Sequence, residues 1–310
     1  MLDDFELRWL TSADGLRLRC AVDAPVEDCR GLIVVLGGRT EFIEKYREFV
    51  GDLRVRGLRA VLMDWRGQGL SDRMLDDRHR GFVEDFSQYV DDLEQLFDEV
   101  VLKLGDAPRL LFGHSMGGHI ALRFLHRRPD AVAGAIFSAP MIDLPLSAHV
   151  RLFAAGMSRL ATALGLGGRY LPGYGGYDIA RRREEIAVLT SDVERFEESL
   201  RLIESEPDLA LGGPTYGWLN AALRSIRDLS AKGVPEAITT RSLFIAAADE
   251  AVVCNDAIRG LVTRMPNADL HLLEAAQHEL LMERELVRQQ LLSEIDRFLL
   301  DTLGPASAIA

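Results

Sequence analysis

Cysteine is scarce in this chain, and its few positions exclude the architectures that depend on it. The three cysteines, Cys20, Cys29 and Cys254, are odd in number and lack the spacing of metal ligands. A disulfide framework and a cysteine-rich metal centre are therefore not indicated. Cys20 and Cys29 are close enough in sequence to pair, but free thiols in a reducing cytoplasm are the prediction.

Excess basic charge and long apolar runs are also missing. The chain has 36 Lys and Arg against 48 Asp and Glu, a net charge of −12. That balance opposes a general nucleic-acid surface and a broad attraction to anionic membranes. No apolar run approaches the roughly 18 residues of a membrane span, and the opening "MLDDFELRWL" lacks the basic-then-apolar pattern of a secretory signal. We expect a cytoplasmic protein without a membrane span or a nucleic-acid partner.

What the sequence does contain is a regular alternation of strand-like and helix-like segments. Short apolar runs alternate with helical periodicity over 1–140 and 236–310, which predicts an α/β core with a mostly parallel sheet and helices on both faces. Residues 141–235 lack strong strands and predict an inserted helical cap, or lid, over the sheet edge where ligands bind. Its predicted helices span 146–164, 180–189, 191–204 and 214–228. The stretch Ser191-Asp192-Val193-Glu194 has the pattern of a capping box for the third of them.

The pentapeptide Gly113-His114-Ser115-Met116-Gly117 lies between an apolar run and a helical pattern. In a strand–turn–helix context, G-x-S-x-G presents the serine on a sharp turn beside a helix N-terminus. Small neighbours are needed for so tight a turn. The context predicts Ser115 as a nucleophile; a purely structural glycine-rich turn is the alternative.

A nucleophilic serine needs a base and an orienting carboxylate, which in this arrangement follow in the order acid, then histidine. Only His271 and His278 follow the predicted cap. His271 alternates within a strand-like segment, whereas His278 lies in the loop between the last strand and the last helix, so His278 is the predicted base. Asp249 and Glu250 both follow the preceding strand, and position alone leaves either as the acid.

Two backbone N–H groups are needed to stabilise the developing oxyanion. Met116 follows the nucleophile directly. Gly37-Gly38-Arg39 follows the strand at 32–36, and the glycines permit close backbone approach. We predict the N–H groups of Met116 and Arg39 as the oxyanion hole, with a simple tight turn as the alternative for the glycine pair.

Together these motifs resemble the α/β-hydrolases of the monoacylglycerol lipase and bacterial lysophospholipase group, over nearly the whole chain. The segments that carry the likeness are "GGRTEFIEKY", "DWRGQGLSDR", "GHSMGG" and "HELLME", with "LTSDVERF" and "GGPTYGWL" similar to the lysophospholipase branch. The resemblance implies an α/β-hydrolase fold and favours esters over amides. It also implies a register in which counting from Leu243 places the acid on Glu250, where relatives usually have Asp; a shift of one residue selects Asp249.

The leading functional hypothesis is a serine ester hydrolase that acts on a lysophospholipid or a monoacylglycerol through an acyl-enzyme on Ser115. An aminoacyl-amide peptidase, an acyltransferase and a non-catalytic binding protein on the same fold are the alternatives. No motif indicates a metal or an organic cofactor.

The predicted cap combines apolar side chains with local positive charge. Residues 149–189 contain six arginines and three acids, a local charge of +3. Arginine forks match phosphate geometry, so Arg181, Arg182 and Arg183 are candidates for binding an anionic headgroup. Solvated or acid-paired arginines are the alternative. The apolar residues of the cap also predict transient contact with a membrane surface.

Overall fold

The computed structural model describes residues 4–305, whose strands form one eight-stranded sheet. Residues 1–3 and 306–310 of the predicted core lie outside the described residues. The strands are β1 (Phe5–Thr11), β2 (Arg17–Asp23), β3 (Gly31–Leu36), β4 (Leu58–Met63), β5 (Arg109–His114), β6 (Gly134–Ser138), β7 (Ser242–Ala247) and β8 (Ala268–Leu273).

The sheet has the order β1-β2-β4-β3-β5-β6-β7-β8. The pairings β1–β2 and β2–β4 are antiparallel, and all pairings from β4 to β8 are parallel. Strands β3, β6 and β7 are buried along their whole length, because helices cover both faces and leave no polar side to alternate with. The predicted α/β fold is confirmed.

Ten α-helices lie among the described residues: α1 (Arg47–Val55), α2 (Phe86–Glu99), α3 (Met116–Arg127), α4 (Ala148–Ala163), α5 (Ile179–Glu184), α6 (Ile186–Leu189), α7 (Val193–Ser205), α8 (Tyr216–Leu229), α9 (Asn255–Val262) and α10 (Glu285–Leu303). Short 3-10 helices span Ile43–Tyr46, Val101–Leu104, Pro207–Leu209, Pro235–Ala237 and Leu280–Met282. Helices α1 and α10 pack on one sheet face through side chains such as Phe49 and Ile295. Helices α2, α3 and α9 cover the other through Phe97, Phe124 and Ile258.

Helices α4 to α8 follow one another between β6 and β7, in the segment 141–235, which we call the cap segment. Helix α4 packs against α8, and α8 packs against α2 on the sheet. The helix predicted over 180–189 is two short helices, α5 and α6, which meet at Glu185.

The capping box predicted from Ser191 is wrong. The residue that caps α7 is Asp192, whose carboxylate accepts a hydrogen bond from the Arg195 N–H at 3.0 Å. The Ser191 hydroxyl donates instead to the carboxylate of Glu283, which stands just before α10. The helix therefore begins one residue later than the pattern implies, because the Asp192 carboxylate is the acceptor for the N–H of its first turn.

All three cysteines lie within residues 4–305, the described range. Cys20, Cys29 and Cys254 are free, and Cys20 is buried in β2. Within this range, no helix combines the length and hydropathy that crossing a bilayer requires.

Candidate active site

Ser115 occupies the sharp turn between β5 and α3. Its backbone angles, φ 49° and ψ −117°, lie in a region that residues other than glycine rarely adopt. The turn is held by the Ser115 N–H, which donates to the Ser138 carbonyl at 3.0 Å. A Cβ on Gly117 would lie 2.3 Å from the Leu36 carbonyl oxygen, so glycine is required for α3 to approach β3 this closely. The strand–turn–helix arrangement predicted around Ser115 is therefore present.

His278 connects this serine to a carboxylate. Its Nε2 lies 3.0 Å from Ser115 Oγ, and its Nδ1 lies 2.9 Å from Glu250 Oε2. The side chains of His278 and Glu250 are 4% and 0% exposed. Since the carboxylate only accepts, Nδ1 carries the proton and Nε2 is free to accept the serine hydroxyl proton.

Glu250 is fixed by its own backbone neighbours. Its Oε1 accepts from the N–H groups of Val252 at 2.7 Å and Val253 at 3.3 Å. Burial acts to raise the pKa of Glu250, but the hydrogen bond and charge of His278, with both amides, lower it below its ordinary value. The adjacent Asp249 is exposed. The structure thus brings Glu250, and not Asp249, to His278.

The loop after β3 lies against the serine from the other side. A Cβ on Gly38 would meet Ser115 Cβ at 3.1 Å, which places Arg39, the next residue, beside the nucleophile. Met116 is the first residue of α3, so its N–H is one of the groups without an intrahelical partner. Both predicted oxyanion donors therefore belong to segments that flank Ser115.

Side chains from the loop after β4 hold this glycine pair in place. Trp65 Nε1 donates to the Gly37 carbonyl at 2.8 Å, and the Gln68 side chain accepts from the Thr40 N–H at 2.7 Å. Thr40 itself has a φ of 67°, and these contacts stabilise that turn.

A buried charge cluster behind the site was missed by sequence analysis. The carboxylate of Glu41 accepts from the Gly38 N–H and, at 2.5 Å, from the Tyr46 hydroxyl. Lys45 Nζ lies 2.6 Å from both Glu41 and Glu279. Because Glu279 follows His278, the cluster ties the loop after β3 to the loop that carries the base. The spacing of Glu41 and Lys45 was visible in the sequence, but Glu279 is too distant in the chain to be paired with them.

The other candidate histidine lies elsewhere. His271 is on β8, where its Nδ1 lies 3.2 Å from Glu294 Oε2 on α10. The structure does not bring it to Ser115.

A cavity of about 310 Å³ opens onto Ser115 and His278. The cap segment contributes much of its wall, including Arg181, Arg182 and Trp218. The cavity therefore lies between the loops at the carboxyl ends of the strands and the cap segment.

The three adjacent cap arginines have different surroundings. Arg182 bonds to the carboxylate of Glu185 and lies 3.7 Å from Glu279. Arg183 is exposed, pairs with Glu197 at 2.9 Å and does not line the cavity. Arg181 donates to the Gly173 carbonyl at 2.5 Å. They do not form one cationic cluster facing the serine.

Chemically, this arrangement meets the needs of nucleophilic acyl transfer. A hydroxyl contacts a base, the base contacts a buried carboxylate, and backbone N–H groups flank the hydroxyl.

The chain is similar over most of its length to one protein family and to two named bacterial proteins. Residues 27–285 match the family described as serine aminopeptidase, S33. The probable lysophospholipase L2 of Haemophilus influenzae is 31% identical over 275 residues, covering 89% of this chain and 85% of that protein. The lysophospholipase L2 of Escherichia coli is 30% identical over 278 residues, 86% of this chain and 79% of that one.

Among solved structures, a soluble variant of the monoglyceride lipase of Saccharomyces cerevisiae, in complex with a substrate analog, superimposes with a TM-score of 0.74. It is 18% identical, and the match covers 96% of each chain. This likeness establishes the α/β-hydrolase fold.

Proposed function

Because the chain belongs to the serine aminopeptidase S33 family of α/β-hydrolases, we propose that it is a serine hydrolase cleaving lipid-like carboxylic esters through an acyl-enzyme on Ser115. The observation that carries the proposal is the continuous contact from Ser115 Oγ through His278 to Glu250.

The reaction follows from these contacts. Ser115 Oγ attacks the ester carbonyl carbon while His278 Nε2 takes the hydroxyl proton, and the N–H groups of Met116 and Arg39 bind the oxyanion. Collapse of the tetrahedral intermediate breaks the bond to the alcohol, which leaves with the proton from His278. Water then attacks the acyl-enzyme with His278 as base, which releases the carboxylic acid and restores Ser115. Glu250 holds the imidazole orientation and stabilises its cationic form throughout.

A monoacyl lipid, either a lysophospholipid or a monoacylglycerol, is the proposed substrate class. The two relatives named lysophospholipase L2 support it, as does a cavity wall that includes Leu144, Val188 and Trp218. A peptidase acting on a free amino terminus needs a carboxylate for the amine. Of the four carboxylates of the described residues that line the cavity, Glu41, Glu185 and Glu279 are already bonded to Lys45 or Arg182. The fourth, Asp178, caps α5, and this set favours the ester.

We further propose that 1–140 and 236–310 act as the core and that the cap segment 141–235 acts as a lid. The large apolar side chains that α4 leaves exposed support contact between this lid and a membrane surface during lipid capture. Three free thiols fit a cytoplasmic location.

The proposal is tested by a hydrolysis panel with the wild type and Ser115→Ala. The panel contains p-nitrophenyl esters of graded length, monoacylglycerols, lysophospholipids and aminoacyl amides. We expect the monoacyl lipids to be the best substrates, Ser115→Ala to lose nearly all activity with the fold retained, and a fluorophosphonate to label Ser115. Labelling at another serine, or an active Ser115→Ala variant, would overturn the assignment, and amides hydrolysed faster than esters would select the peptidase.

A further inference from the structure

The side chain of Arg39 is a cation in the wall of the active-site cavity without an acid of its own. It extends from the loop after β3 and lies between the backbone of Gly81 and the ring of Trp218. Its Nη2 donates to the Gly212 carbonyl at 2.6 Å. A Cβ on Gly81 would come within 2.5 Å of Nη2, so glycine there leaves room for the guanidinium.

Pairing with an acid or exposure to solvent separates the other cations of the cavity wall, Arg181 and Arg182, from Arg39. Arg182 is paired with Glu185, and Arg181, which donates to the Gly173 carbonyl, is exposed to solvent. Among residues 4–305 no carboxylate pairs with Arg39; Glu185, which acts on it at longer range, is bonded to Arg182. Within the same described range, the buried Nε of Arg39 has no hydrogen-bond partner.

Such an arrangement is costly unless an anion completes it. A guanidinium has five N–H donors, and leaving a buried charged donor unsatisfied costs more than leaving a neutral one. Burial, the largest influence, lowers the pKa of Arg39 to about 10, so the side chain still carries its charge at neutral pH. Trp218 and the Gly212 carbonyl satisfy it only in part.

On the basis of the proposed ester hydrolysis, we propose that the Arg39 guanidinium recognises a phosphate on the alcohol side of the substrate. The backbone of Arg39 flanks Ser115, so an ester carbonyl bound there has the side chain of the same residue within reach of its alcohol portion. In a lysophospholipid that portion is a glycerol bearing a phosphate diester. Arginine binds phosphate oxygens through its planar fork, whereas a monoacylglycerol offers only a hydroxyl at the same point.

The test is a ratio of specificities, which cancels effects common to both substrates. A lysophospholipid and a monoacylglycerol with the same short acyl chain, both monomeric in solution, are compared by kcat/KM. Arg39→Gln removes the charge and keeps an N–H for Gly212. We expect it to lower the lysophospholipid-to-monoacylglycerol ratio by about tenfold or more, the usual scale for a lost charge-assisted hydrogen bond. Arg39→Lys, which keeps the charge without the fork, should lower the ratio less.

Arg183→Gln is the matched control, because Arg183 is exposed, paired with Glu197 and outside the cavity. Its ratio should equal that of the wild type. An unchanged ratio in Arg39→Gln, or an equal fall in Arg183→Gln, overturns the proposal.

Inhibition of p-nitrophenyl butyrate hydrolysis gives a second measurement on the wild type, independent of lipid turnover and of how well the variants fold. Glycerol 3-phosphate should inhibit at a lower concentration than either glycerol or inorganic phosphate. If glycerol 3-phosphate and glycerol inhibit equally, Arg39 does not recognise the phosphate and the proposal is overturned. If inorganic phosphate inhibits as well as glycerol 3-phosphate, the site binds a free ion and not the substrate headgroup, which also overturns the proposal. If the wild type does not hydrolyse the p-nitrophenyl ester at all, that result counts against the proposed hydrolase function itself.

Discussion

At the scale of single residues, the geometry distinguishes two adjacent carboxylates. Glu250 is buried against His278 and accepts two backbone N–H bonds, whereas Asp249 is exposed. The Glu250 side chain reaches the His278 ring from the turn after β7. The site therefore combines a common acid–base arrangement with the less common acid.

Glu250→Gln should lower kcat on a p-nitrophenyl ester by about 10³–10⁴-fold, the scale seen when a triad carboxylate becomes an amide. The amide can donate to Nδ1 of His278, which favours the tautomer whose Nε2–H points at Ser115 and cannot accept its proton. Asp249→Asn is the matched control and should stay near wild-type kcat. Steady-state kinetics of both variants decides, and the reverse result would assign the role to Asp249.

The residues alone were sufficient for the nucleophile and base candidates, whereas Glu250 was selected over Asp249 only through the register that the family resemblance implies. Ser115 and His278 follow from local context, since a strand–turn–helix motif and a loop position are visible along the chain. The choice between Asp249 and Glu250 depends on which side chain the turn after β7 directs at His278. That direction depends on the Val252 and Val253 amides, which form part of the turn itself.

At the scale of secondary-structure elements, a buried histidine joins α3 to α8. His119 Nδ1 lies 2.9 Å from the Met141 carbonyl, and its Nε2 lies 2.5 Å from the Ser225 hydroxyl. Arg123 donates to the same hydroxyl at 2.8 Å. Burial, reinforced by the charge of Arg123, lowers the pKa of His119 to about 3. The contact between the core and the cap segment thus depends on a neutral imidazole.

This contact predicts a pH-dependent stability. Unfolded His119 takes up a proton below its ordinary pKa of 6.5, but folded His119 does not until about pH 3. Protonation therefore favours the unfolded state across that window, and stability falls as pH falls. From pH 7 to pH 5 the wild type should lose about 2 kcal/mol more unfolding free energy than His119→Gln, which does not titrate. Denaturant unfolding at both pH values measures this difference. If the wild type and His119→Gln lose the same unfolding free energy, His119 is not the cause.

Elements were predicted more reliably than the contacts at their ends. The strands and most helices follow from apolar periodicity, which the buried faces of the sheet and helices require. The capping box at Ser191 failed because α7 begins one residue later, where Asp192 supplies the capping carboxylate. The cluster of Glu41, Lys45 and Glu279 was likewise hidden, because it depends on two loops meeting in the folded chain.

At the scale of the whole molecule, the chain has a net negative charge, whereas one helix of the cap segment exposes several large apolar side chains. The chain carries a net charge of −12, which opposes attraction to anionic bilayers. Yet α4 exposes Leu152, Phe153 and Leu160 at 77%, 69% and 61%, and Leu164 directly after it is 66% exposed. The membrane contact proposed for the cap segment therefore rests on burial of these apolar side chains and not on the net charge of the chain.

Replacing two of these side chains, in Leu152→Asp/Phe153→Asp, should lower vesicle binding by at least about tenfold, because each buried apolar side chain contributes roughly 1.5–3 kcal/mol. Vesicle sedimentation and hydrolysis of a vesicle-embedded monoacylglycerol should fall together, while hydrolysis of soluble p-nitrophenyl butyrate should persist, since neither side chain lines the cavity. Val55→Asp is the matched control: Val55 is 87% exposed at the end of α1, outside the cap segment. Binding that persists in the double variant, or is lost equally in Val55→Asp, would show that α4 is not the contact surface.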